Sequence, residues 1–129
     1  DLARWGDRFG ISRRVLTNAD LVVGVAEPTP RGVLRYLDWF ADAGLLRADV
    51  VTVLNKVPSS RRVAFEARQQ LIDTAGTLVD DVWELPLDRA VAAAEWDGLL
   101  VSRGRFRKAL AGVVDEVERR LVAEEAMVG

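Results

Sequence analysis

Two almost wholly apolar runs, Leu21-Val22-Val23-Gly24-Val25-Ala26 and Val50-Val51-Thr52-Val53-Leu54, leave this chain few ways to fold. A strand with one wet face alternates apolar and polar residues, whereas an unbroken run predicts burial on both faces, the habit of parallel sheets. Each run is closed by a proline, Pro28 or Pro58, and a helical pattern follows. After the first, Thr29-Pro30 supplies a cap and a proline at the first helical position, so a helix is expected from Arg31 to about Ala43, stopped by Gly44. After the second, Ser59 or Ser60 caps a helix of about fifteen residues that ends at Gly76. Val82-Trp83-Glu84-Leu85 reads as a third, shorter strand, Asp88 opens a helix that Gly98 stops, and a last helix is expected over 105–125. The first ten residues read as a loop, and Ile11 to Asn18 as a short helix capped by Ser12.

Strand and helix in strict alternation with short connections predict an α/β fold: a parallel sheet with helices on both faces, three layers in all. Only three strands are legible. A three-stranded parallel sheet with two apolar faces leaves edges that need neighbours, so residues 1–129 are expected to be a single α/β portion of a larger domain.

Composition removes whole classes of chemistry. The 129 residues contain no histidine and no cysteine, which excludes Cys or His zinc sites, disulfides, thiol nucleophiles and a Ser-His-Asp triad within the chain. A formal charge of −2 argues against a wholly basic polyanion binder. No apolar run approaches the roughly 20 residues of a membrane-spanning helix, and no signal peptide opens the chain. A cytoplasmic location is the expectation.

Ligands of open parallel sheets bind beyond the carboxyl ends of the strands, which directs attention to Glu27–Thr29, Asn55–Ser60 and Pro86–Asp88. Asn55-Lys56 resembles the start of the guanine-reading Asn-Lys-x-Asp motif, but position 58 is proline, so guanine selection is not expected. Two surface features stand out as well. On the first helix Val33, Leu34, Leu37, Phe40 and Ala41 share one arc while Trp39 falls opposite among Arg35, Asp38 and Asp42, which predicts an outward tryptophan suited to a partner. Arg103, Arg105, Arg107 and Lys108 gather at the start of the last helix, where the macrodipole disfavours cations, so a phosphate of nucleotide or nucleic acid is a possible counterpart. Over 105–125 that helix carries five basic and five acidic residues, unlike a basic membrane-targeting helix.

Three segments carry a family resemblance. Ala19-Asp20-Leu-Val-Val-Gly-Val-Ala-Glu-Pro-Thr-Pro, then Val53-Leu-Asn55-Lys-Val-Pro58, then Leu85-Pro-Leu-Asp88-Arg-Ala-Val91 with Ala94-Glu95 and Gly98, together resemble the C-terminal half of the MinD/ParA-type P-loop ATPases, including their CpaE/TadZ-like relatives of pilus assembly. The resemblance covers about residues 1 to 112. It implies a P-loop NTPase-like fold whose N-terminal half is absent from these residues, and ATP with Mg²⁺ as cofactors. It implies a dimeric or partner-bound switch in cell division, partitioning or assembly positioning. Asn55 would contact adenine, Pro86, Leu87 and Asp88 would form the loop beside the base, and Asp1, at the head of a switch-like loop over 1–10, would approach Mg²⁺ through a bound water. One required part is missing: no glycine in the chain opens a loop ending in Gly-Lys-Ser or Gly-Lys-Thr. Phosphoryl transfer depends on that loop and its metal. No ATPase activity is therefore expected of these residues alone, and the rivals are a non-catalytic CpaE/TadZ-like scaffold and an unrelated doubly wound binding module.

Overall fold

The computed structural model describes residues 18–45, 50–75, 82–101 and 104–128. Three strands, β1 (Val22–Ala26), β2 (Val50–Val57) and β3 (Val82–Pro86), alternate with four helices, α1 (Pro30–Leu45), α2 (Arg61–Ala75), α3 (Arg89–Asp97) and α4 (Arg105–Val128). The strands form one parallel sheet in the order β1-β2-β3, with Val22 opposite Val50 and Thr52 opposite Val82. The α/β class read from the alternation is the class observed.

The pleat of β2 sorts the core into two layers. Leu54 on one face joins Ala26, Val33, Tyr36, Phe40, Ala67, Leu71 and Val82, so α1 and α2 both cross on that side. Two crossovers that add strands in one direction must lie on the same face if both are right-handed. Val51 and Val53 on the other face join Leu85 and Val113, with Trp83, Phe106, Leu110 and Val117 packed around them, so α4 alone covers that side. Beneath the first layer the Thr52 hydroxyl, almost without solvent contact, meets the Tyr36 hydroxyl at 2.5 Å. A buried polar group without a partner costs free energy, and each of these two satisfies the other.

Three expectations need correction. Gly44 does not stop α1, which continues through it to Leu45. β1 is not buried on both faces: Val23 is 44% and Val25 58% exposed, because α4 packs over β2 and β3 and leaves the corresponding face of β1 bare among the described residues. Nor does Trp39 stand opposite the core of α1. It is half-buried and packs on the layer with Tyr36, its ring centroid 5.4 Å away, while Leu34, placed on the core arc by the sequence, is 56% exposed. The reason is Tyr36. Counted as core, it turns the buried arc to Val33, Tyr36 and Phe40 and carries Trp39 to its margin. Gly24 makes room for this packing, since a Cβ there would stand 2.7 Å from both the Trp39 and Tyr36 rings.

α3 differs from the other helices in burying none of its residues. It is held at its ends: Asp88 accepts the Ala90 N–H at 2.9 Å, and Gly98, left-handed at φ 66°, donates its N–H to the carbonyls of Ala94 and Glu95. These are the cap and the stop that the sequence predicts. Asp1, Arg103, the loop expected over 1–10 and all but Asn18 of the helix expected from Ile11 to Asn18 lie outside the described residues.

Candidate functional site at the carboxyl ends of the strands

β2 does not end in a regular strand. Between Leu54, opposite Glu84, and Val57, opposite Pro86, it spends three steps while β3 spends two. One extra residue is a β-bulge, and a one-residue slip turns every later side chain to the other face. In an unbroken strand Val57 would share a face with Val51 and Val53. Instead it belongs to the opposite core layer with Leu54. Within the bulge Lys56 has φ 56°, the only left-handed non-glycine among the described residues. For a residue with a Cβ that conformation costs about 1–2 kcal/mol, and bulges of this kind concentrate beside functional sites because they re-aim side chains.

The bulge also brings the neighbouring segments to it. The Leu87 N–H donates to the Val57 carbonyl at 2.8 Å, which draws the segment after β3 alongside the end of β2. On the other flank Lys56 Nζ lies 3.9 Å from Glu27 Oε1, just past the end of β1, in a pair more than half exposed on both sides. An exposed pair at that distance contributes at most about 1 kcal/mol, so it orients more than it stabilises. Of the residues singled out in the sequence, Asn55 and the Pro86–Asp88 segment are thereby brought together: Asn55 is half-buried in the middle strand, Pro86 is half-buried, and Leu87 is 56% exposed. Asp88 already has a structural task as the cap of α3. Lys56 and Glu27 fall within the strand-end segments marked in the sequence, though without a role of their own there, and no residue pattern marks the bulge, since a run that is apolar on both faces carries no phase to break.

The remaining candidates lie elsewhere. Trp39 and Arg35 line an open groove of about 430 Å³ along β1, together with Val23, Val25, Glu27 and Tyr36. This groove does not include Asn55 or the Pro86–Asp88 segment. Arg105, Arg107 and Lys108 are exposed at the start of α4. Gly104, immediately before them, approaches the Asp88 carboxylate: a Cβ there would lie 3.8 Å from Oδ2. The described residues include no group of three or more carboxylates that could hold a metal ion, and Asp1, the residue expected near Mg²⁺, lies outside them. None of the helices described is long and apolar enough to cross a membrane.

In comparisons with known proteins, no family model, no curated protein and no solved structure matches the chain.

Proposed function

We propose that the chain forms the base-binding side of a nucleotide-dependent switch of the MinD/ParA type, with Asn55 and the Pro86–Asp88 segment as the adenine contacts. The single observation behind this reading is the bulge at Asn55-Lys56, which brings a half-buried amide and the segment after β3 together at the carboxyl edge of the middle strand. That edge is where open parallel sheets take ligands. An amide side chain offers both a donor and an acceptor, the pair that the adenine edge requires. ATP and Mg²⁺ belong to the proposal through the family resemblance. The residues described would hold the base alone, and the phosphates and metal would need a glycine-rich loop that the 129 residues do not contain. The bare Val23 and Val25 on β1 support a further element that covers this face of the sheet in a larger domain.

The reading is tested by titrating the ¹⁵N-labelled chain with adenosine and with ATP. Shifts at the Asn55 side-chain amide and the Leu87 backbone amide are expected at millimolar ligand, and in Asn55→Ala the binding read at the Leu87 amide should weaken about tenfold, the loss of one or two hydrogen bonds to the base. No shift at either amide, or undiminished binding at the Leu87 amide in Asn55→Ala, refutes the assignment.

The groove beside Trp39 favours a second reading, a non-catalytic CpaE/TadZ-like scaffold. It combines a half-buried aromatic and a guanidinium along β1, the composition of a protein-contact surface, and its lining does not include Asn55 or the Pro86–Asp88 segment.

A further inference from the structure

We propose that Lys56 is a positioning residue, and that its left-handed backbone, not its ammonium group, holds the carboxyl ends of β2 and β3 in one arrangement. It rests on the nucleotide reading only for the ligand it serves. Three observations carry it. The φ of 56° falls on the residue next to Asn55, inside the extra step of β2. The Val57 carbonyl that follows accepts from Leu87, so the geometry of Lys56 sets where the post-β3 segment docks. The Val57 side chain is buried among Leu54 and its neighbours, which anchors the far side of the bulge and keeps the strain from relaxing. The ammonium, by contrast, has one distant and largely exposed partner, Glu27. A charge so placed cannot be what holds the backbone.

Backbone and charge are separable by substitution. Lys56→Met keeps an unbranched side chain and loses the charge, Lys56→Gly accepts the left-handed region freely, and Lys56→Val resists it most. The readouts are the exchange rate of the Leu87 amide and the adenosine-induced shift at the Asn55 side chain, with the Val51 and Val53 amides as a measure of the intact sheet. Lys56→Met is expected to stay within about threefold of the parent on both, and Lys56→Gly, free of the Cβ penalty, to exchange at Leu87 about threefold or more slower than the parent. Lys56→Val should speed Leu87 exchange about tenfold, the penalty of the left-handed region for a branched residue, while Val51 and Val53 stay protected. If the valine variant does not fold, Lys56→Ala replaces it and should exchange at Leu87 about threefold or more faster than Lys56→Gly.

Equal Leu87 exchange in the glycine and the valine or alanine variants overturns the proposal, and so does a loss in Lys56→Met as large as in Lys56→Val. The two readings fail differently. Absence of any adenosine shift in every variant removes the nucleotide assignment, while Leu87 exchange still decides the role of Lys56.

Discussion

Removing one oxygen atom from Tyr36 tests how the layer beneath α1 is held. In Tyr36→Phe the ring keeps its place beside Phe40 and Trp39, and the loss is confined to the hydroxyl 2.5 Å from Thr52 Oγ1. Thr52 is 1% exposed and its hydroxyl would be left without water or side-chain partner. A buried hydroxyl stripped of its partner costs about 1–3 kcal/mol, more than the roughly 1 kcal/mol net value of the bond itself. Thr52→Val strands the phenol in the same way and should cost about as much. The double variant removes both polar groups together, and a pair replaced by apolar groups of similar shape is nearly neutral, so it should be no less stable than either single variant. The expected coupling is therefore about 1–2 kcal/mol, read from urea-unfolding midpoints at unchanged slope. Additive losses in the double variant would show that each hydroxyl has another partner and that the pair does not hold the layer. A pH series adds an independent reading. Burial raises the Tyr36 phenol from 10.0 to about 12, an effect only partly offset by the bond from Thr52. A group whose pKa is raised by folding stabilises the fold fully below its unfolded value. That stabilisation is lost as pH climbs from about 10 through 12, and in Tyr36→Phe this part of the alkaline loss should be absent.

Two further expectations concern the ends of the molecule. Asp88→Ala removes the cap of α3 and should cost that helix about 1 kcal/mol; because α3 buries nothing, amide exchange should rise over Arg89–Asp97 while the core strands stay protected, and a global collapse would contradict this. On α4, hydrogen bonds from Arg119 and then from Arg120 hold the Glu116 carboxyl down from 4.5 to about 2. A carboxylate depressed by folding stabilises above its unfolded value, so melting temperatures of the parent and Glu116→Gln should converge as pH falls from about 4.5 towards 2, and parallel curves would refute the pairing.

The elements were legible where the sequence carries punctuation. Thr29-Pro30, Asp88 and Gly98 mark their helix ends in the residues themselves, because caps and stops are local chemistry, and the structure places Asp88 and Gly98 as cap and stop. The two-sided burial of β1 was misread for a related reason. An apolar run states that both faces are apolar, not that both are covered, and coverage of Val23 and Val25 depends on where α4 comes to lie. Trp39 lies at the margin of the core and not opposite it because Tyr36, whose polar tip gives it the look of a surface residue, is buried in the apolar layer with its hydroxyl on Thr52. Position Asn55, at the end of an apolar run, was readable, but the bulge that gives it its neighbours arises from pairing between strands and leaves no mark in the residue order.

Gly24 is a single hydrogen atom where most strands carry a side chain, and two aromatic rings occupy the volume that it vacates. The consequence is a conserved quantity of space shared by three positions. α1 lies as close to β1 as it does because residue 24 contributes nothing to the gap, so a methyl group there would have to be matched by lost volume at 36 or 39. Among chains of this fold the three residues should thus vary as one unit, a bulky residue at 24 travelling with a small one at 36 or 39, and the depth of the groove beside Trp39 should vary with them.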